Sequence, residues 1–191
     1  MTFFTPRYGA ALNLAAEAHA GQMRKGANSP YIHHPVAVSA LVIEHGGTED
    51  QAIAGLLHDV LEDCDPKYGP QIVEQFGHSV YEIVAHLTDG STDPYVRGQM
   101  DWRVRKEAYL EHLVRVPEAV VLVSASDKLH NALSIADDYA DIGAAVFDRF
   151  SKPRADTTWY YRSLQEVLGD RLGRGHKLAR RLVAAIDSWA G

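Results

Sequence analysis

The sequence predicts an all-α fold, and three observations predict it. Apolar residues recur at three- and four-residue intervals along most of the chain. Glycine and proline fall at the ends of those periodic stretches, as at Gly21, Pro35 and Gly46. Strand signals are sparse: VVLV (120–123) could form one, but it joins a helical pattern. No repeat, low-complexity tract or linker interrupts the 191 residues, so one domain over 1–191 is expected.

The elements follow in order. Residues 7–21 read as a first helix, with Ala10, Ala11, Leu14, Ala15 and Ala18 on one stripe and Gly21 at its C-terminal end. A polar connector, QMRKGANSPYI, leads to a helix opening at His34-Pro35. Proline favours the first helical position, which makes His34 the N-cap. This helix runs to about His45 and stops at Gly46-Gly47. Thr48 and Glu49 suggest a cap before a third helix over 49–63, where Ile53, Leu56, Leu57, Val60 and Leu61 share a face. Two short helices are expected at 69–76 and 78–87. TDGSTDPYVRGQMD (88–101) reads as a loop, and long loops in compact domains are often functional. Helices resume at 102–114 and 117–138, and two more at 154–168 and 175–189 close the chain.

Composition narrows the function. Apolar residues make up 46% and charged residues 23%, which suits a globular protein with a real core. Cys64 is the single cysteine, so no disulfide forms within the chain. The N-terminus lacks a basic region followed by a long apolar run, so no signal peptide is expected. No window approaches the roughly 18 apolar residues of a membrane span. These features predict a cytoplasmic protein with no membrane partner. A net charge of −6 argues against nucleic-acid binding, yet permits a small anionic ligand held by a local basic cluster. A homo-oligomer is left open.

One stretch, GLLHDVLEDC (55–64), holds His58, Asp59, Glu62 and Asp63 in six positions. On a helical wheel they lie opposite the apolar face, paired at i, i+3 and i+4. A solvated helix face is the plain alternative. Against it, no lysine or arginine offsets the carboxylates. An adjacent His-Asp pair can offer one nitrogen and one oxygen to the same divalent ion. Glu62 and Asp63 lie too far along to bind that ion but near enough to handle a water. A transition ion needs further ligands from elsewhere. His34 can project from a helix start, although it can equally be a simple cap. Asp127, in SASDKLHNA, interrupts the apolar positions Leu122, Ala125, Leu129 and Leu133. A carboxylate on a helix that reads as buried should be metal-bound or paired with a lysine or arginine.

Taken together, His…His-Asp…Asp on an all-α chain resembles the HD phosphohydrolase superfamily and its helical bundle. RKGANSPYIHHPVAVSALV, AGLLHDVLED and SASDKLHN are similar to the hydrolase domain of RelA/SpoT-type enzymes, which degrade the alarmone (p)ppGpp. The resemblance covers about residues 5–140 and rests on HP, HD-x-x-ED and DK-x-x-N in order. It implies a small alarmone hydrolase of nucleotide metabolism and the stringent response. By resemblance His34, His58, Asp59 and Asp127 bind one divalent ion, usually manganese. Glu62 and Asp63 match the catalytic pair that positions or deprotonates the attacking water. Pyrophosphate leaves from the 3′ oxygen. Arg24, Lys25, Lys128 and Asn131 match substrate-binding positions, and Tyr31 packs near the base or phosphate, or else in the core.

The sequence also departs from that pattern. Leu133 stands where an arginine usually follows the asparagine. In WRVRKEAYLEHL (102–113), Arg105 and Lys106 remain, with Arg103 beside them. They suit the distal phosphates, or a basic face balanced by Glu107 and Glu111. Base choice stays open between ppGpp and the adenosine analogue ppApp. A phosphatase for another nucleotide such as NADPH is the alternative within the superfamily. A non-hydrolysing alarmone sensor is the alternative outside it, although a sensor should have lost a ligand or the Glu-Asp pair. The basic segment DRLGRGHKLARRL (170–182) reads as a solvated face, and TTWYYRSL (157–164) as core packing.

Overall fold

Thr5 and Pro6 start the first helix of this computed structural model, which describes residues 4–26, 28–89 and 94–191. The Thr5 hydroxyl accepts from the Arg7 amide at 3.2 Å, and proline fills the first turn, where an N–H would find no helical partner. α1 (Pro6–Ala18) ends ahead of Gly21, whose φ of 77° no side chain would favour. The connector then makes one isolated antiparallel bridge, between Met23 and Pro30.

α2 (His33–Glu44) begins earlier than the proline rule suggests. Tyr31 and Ile32 already form a turn, and the Pro30 and Tyr31 carbonyls accept from the His33 and His34 amides at 3.3 and 2.9 Å. His34 therefore lies inside the first turn and is not the N-cap. α3 (Glu49–Leu57) opens on a capping box: Gln51 N–H donates to the Thr48 hydroxyl, and the Gln51 side chain accepts from the Thr48 amide.

The expected helix over 49–63 breaks at His58–Asp59. The His58 ring donates from Nδ1 to the Gly55 carbonyl at 3.0 Å, giving that carbonyl a side-chain partner where the helical ladder ends. Asp59 flattens to φ −96°, ψ −4°, and its carbonyl takes the Glu62 and Asp63 amides to begin α4 (Val60–Asp63). α5 (Tyr68–Phe76) and α6 (His78–Leu87) follow as the periodicity predicts. Of the expected loop 88–101, residues 90–93 lie outside the described residues. Residues Pro94–Gln99 form a short helix, α7, correcting that expectation; a proline opens it.

Asp101 caps α8 (Trp102–Arg115), accepting from the Arg103 and Val104 amides. α9 (Glu118–Ile142) contains VVLV, which is helical and not a strand, and runs four residues past the expected end to Gly143. A 3₁₀ turn over Gly143–Arg149 leads to α10 (Arg154–Leu172) and α11 (Lys177–Asp187).

α3 is the central element, packed by α1, α2, α6 and α9. Only the first turn of α3, Glu49 to Gln51, is half exposed; Ala52 to Leu57 are all buried, and the ionisable cluster begins where the helix stops. Ile53, Leu56 and Leu57 are fully buried. Each contributes about 1.5–3 kcal/mol of burial energy. α10 and α11 cover α9, and the Trp189 indole donates to the Ala132 carbonyl at 3.2 Å. In the basic C-terminal segment, Arg174, Lys177 and Arg181 form the exposed pairs a solvated face would have, with Glu166, Asp170 and Glu44. Arg171 differs: it donates to the Leu113, Val114 and Val116 carbonyls and closes the end of α8. Tyr160 is buried as core packing requires. Among the described residues no helix is long and apolar enough to cross a membrane.

Gly55 lets α3 approach α2. A Cβ there would lie 3.1 Å from the Ser39 Cα and 3.2 Å from its nitrogen, and backbone cannot swing aside. Gly55→Val should therefore destabilise the protein by about 1–3 kcal/mol in urea unfolding, because α2 and α3 must separate. A wild-type midpoint would show that this approach is not tight.

Candidate metal centre and its flanking cleft

Three elements aim side chains at one point. α2 supplies His34 from its first turn, the α3–α4 break supplies His58 and Asp59, and the middle of α9 supplies Asp127. His34 Nε2 lies 3.2 Å from Asp127 Oδ1 and 3.6 Å from Asp59 Oδ2. His58 Nε2 lies 2.8 Å from Asp59 Oδ2 and 3.6 Å from Asp127 Oδ1. His34, His58 and Asp59 each offer a donor atom within one ion's reach.

The surroundings fix these groups for a cation. His58 Nδ1 is committed to the Gly55 carbonyl, so Nε2 faces the centre; it is buried with no aligned hydrogen-bond partner. His34 Nδ1 meets His130 Nδ1 at 2.8 Å, which leaves Nε2 for the centre as well. Two carboxylates and two neutral imidazoles carry a charge of about −2, matched to a divalent ion. A mixed nitrogen and oxygen set with an orphaned buried imidazole nitrogen fits such an ion.

Around this core the charges are ordered. Asp127 also accepts from Lys128 Nζ at 2.7 Å and from the Asn131 amide at 2.6 Å. Burial opposes its charge, but Lys128 and the two histidines hold its carboxyl well below the usual range. Burial likewise opposes the Lys128 charge, and Asp127 more than offsets it, keeping that ammonium protonated. Tyr31 donates to Asp59 Oδ2 at 2.5 Å; burial and the Asp59 charge hold its phenol protonated. Burial pushes His34 down, and burial with the neighbouring His34 pushes His130 down to about 3, so His130 stays neutral. His58 is the exception. Burial pulls it down, but the nearby Asp59 and Asp127 carboxylates outweigh that and raise it to about 10.

Glu62 and Asp63 stand one turn beyond Asp59 on α4. Glu62 accepts from the Asp89 amide at 3.2 Å. Asp89 in turn binds two cations of α8, Arg105 at 2.5 Å and Lys106. Arg103 is not part of this group: it stacks on Trp159 and pairs with Glu107 on the surface.

A cleft of about 270 Å³ adjoins the centre, lined by Arg24, Lys25, Tyr31, Asn131, Ser134, Ile135, Arg149, Phe150 and Tyr161. Arg24 lies over the Tyr31 ring and bonds the Asn131 side-chain oxygen, so cleft and metal centre share Tyr31 and Asn131. A larger cavity of about 850 Å³ shares none of these residues.

Twelve of the thirteen sequence-predicted site residues thus gather at the centre, at the cleft or on Asp89, and Asp63 follows Glu62 on α4. Five participants were missed, among them Tyr161, which lines the cleft although its stretch read as core packing. His130 stood one position before Asn131 in a motif already singled out. Asp89 and the pair Arg149 and Phe150 carried no periodic signal. Leu133, at the usual arginine position, packs against the core.

Comparison with known proteins gives the same direction. The HD domain family profile matches residues 11–152. The Xenopus tropicalis protein named guanosine-3′,5′-bis(diphosphate) 3′-pyrophosphohydrolase MESH1 is 37% identical over 124 residues, 63% of this chain and 65% of that one. The Haemophilus influenzae guanosine-3′,5′-bis(diphosphate) 3′-pyrophosphohydrolase is also 37% identical over 124 residues, 62% of this chain and 17% of its own. The chain therefore spans less than two thirds of either relative. A solved structure described as a metazoan ortholog of SpoT that hydrolyzes ppGpp superposes with a TM-score of 0.76 and covers 98% of this chain and 97% of its own. At 22% identity that likeness establishes the fold.

The His58 shift has a measurable consequence. Without metal, His58 holds its proton up to about pH 10, and a bound ion displaces it. Affinity should therefore fall as pH falls, by about tenfold per unit below that value. Calorimetric titration with Mn²⁺ between pH 6 and 9 checks this; a flat profile would mean that no proton leaves His58 when the ion binds.

Proposed function

We propose, from the premise that the chain belongs to the HD domain family, that it hydrolyses the 3′-diphosphate of ppGpp-type alarmones and releases pyrophosphate. The observation that carries this reading is the Glu62-Asp63 pair, one turn beyond the His34, His58 and Asp59 cluster with Asp127 beside it. A protein that only sensed the nucleotide would have no use for it. The printed names of the relatives support the same substrate. Manganese is the proposed ion, and the cytoplasm the proposed compartment.

His34, His58, Asp59 and Asp127 would hold the ion. When bound, a divalent ion offsets phosphate charge and makes water acidic enough to lose a proton near neutral pH. The chain's own residues do the rest. Glu62 and Asp63 orient the attacking water and take its proton. The Asp89 amide fixes one Glu62 oxygen, so that carboxylate is aimed before substrate arrives. Water forms the new bond to the phosphorus carried on the 3′ oxygen. The bond from that phosphorus to the 3′ oxygen breaks, and the oxygen leaves with a proton.

The cleft suits a nucleoside. Tyr31, Phe150 and Tyr161 offer ring faces, and Arg24 and Asn131 offer donors. Arg105 and Lys106, held on Asp89, offset phosphate charge on the Glu62 side.

Glu62→Gln should reduce pyrophosphate release from ppGpp by about 10²–10⁴-fold, the usual worth of a general base. Manganese binding should stay at the wild-type level. Release of pyrophosphate by this variant at the wild-type rate would remove Glu62 from the mechanism. Absence of release by the wild-type protein would overturn the alarmone-hydrolase reading.

A further inference from the structure

Two guanidinium groups line the nucleoside cleft, and only one of them is tied to the metal centre. Arg24 bonds Asn131, which donates to Asp127. Arg149 stands apart from that chain of contacts. It comes from the 3₁₀ turn after α9 and pairs with Asp138. Asp127 and Asp138 are eleven residues apart on α9, about 16 Å along its axis at 1.5 Å per residue. A guanidinium anchored on Asp138 therefore enters the cleft from the end away from the ion. With the 3′-diphosphate at the ion, that end holds the base.

Arg149 is also held in place. Its stem passes Gly26, where a Cβ would lie 2.5 Å from Arg149 Cδ, so the glycine leaves the room that the side chain occupies. Gly26 has a φ of 75°, which favours glycine in its own right. The guanidinium carbon lies 5.2 Å from the Phe150 ring centre, and the side chain is only 18% exposed. Among the described residues Asp138 is its hydrogen-bond partner, which leaves most of its N–H donors for a ligand. That ion pair offsets the charge that would draw a phosphate, while the donors remain for neutral acceptors. Asp138 itself does not line the cleft, so a bound molecule meets the donors and not the carboxylate.

We propose that Arg149 selects the base, its fork donating to the O6 and N7 acceptors of guanine. The proposal rests on the alarmone reading above. Guanine presents those two acceptors side by side, a match for a planar guanidinium. Adenine keeps N7 but carries an amino group where guanine has O6. A donor would then face a donor in a part-buried site, and neither would be satisfied. Tyr31, Phe150 and Tyr161 offer ring faces that either purine can use, so they do not discriminate.

Calorimetric titration of the manganese-loaded protein with GMP, IMP and AMP tests this. IMP keeps the O6 and N7 of guanine and lacks its 2-amino group. GMP and IMP should bind about 10–100-fold more tightly than AMP, the usual worth of a bidentate base contact. Arg149→Gln should remove that preference by weakening GMP and IMP and not AMP, because a glutamine amide suits the N6 and N7 of adenine. Arg149→Lys, which keeps a donor for O6 and N7, should restore part of it. Equal affinity of the wild type for GMP and AMP, or no binding of any of the three, would overturn the assignment. So would IMP that behaves like AMP, since the 2-amino group would then be what is read. A loss shared equally by all three in Arg149→Gln would place Arg149 on phosphate, or in the fold alone, and overturn it too. Pyrophosphate release from ppGpp and ppApp by the same preparations separates the two ideas. Release without base discrimination sinks the role of Arg149 alone; discrimination among the monophosphates without release sinks the hydrolase reading alone.

Discussion

Two imidazole nitrogens each lie within 4 Å of the same two carboxylates in a largely buried space, and the rest of the site is arranged around that crowding. Asp59 and Asp127 repel each other, and burial makes each harder to keep charged. The chain meets part of this with its own cations and donors: Lys128 and Asn131 on Asp127, Tyr31 on Asp59, and a proton on His58. A bound divalent ion would meet the remainder and take the place of the His58 proton. Helix geometry delivers the four side chains. α3 is buried from Ala52 to its end, so that end can be placed accurately, and its interruption turns His58 and Asp59 towards α2 and α9.

The same economy of charge extends outward. An acidic chain has collected Arg24, Lys25, Arg105, Lys106 and Lys152 around one end of the bundle. Elsewhere several of its cations form ordinary surface pairs, as with Lys177 and Arg181 on Glu44. Asp89 connects the two regions. Its backbone amide holds Glu62, while its side chain holds Arg105 and Lys106, so the proposed base and the phosphate-facing cations are set by one residue.

Much of this was legible in the sequence. Periodicity located most helices to within a few residues, and HP, HD-x-x-ED and DK-x-x-N named the residues that meet at the centre. What escaped has physical causes. The apolar pattern runs on through Val60 and Leu61, so nothing in it betrays the break at His58–Asp59, where the backbone stays near helical values. His34 was misplaced as a cap because the turn before it winds without a sequence mark. Asp89, His130 and Arg149 matter through partners far along the chain, and no local pattern encodes such contacts. α7 is only six residues long, too short for periodicity to register.

The most direct test of the central claim is anomalous diffraction at the manganese edge from crystals grown with that ion. One peak is expected, within about 2.0–2.3 Å of His34 Nε2, His58 Nε2, Asp59 and Asp127, the usual range for imidazole and carboxylate ligands. Glu62 and Asp63 should stand outside that distance. A peak bound by Glu62 or Asp63, or a density that leaves Asp127 unbound, would contradict the division between ion-binding and water-handling residues on which the mechanism depends.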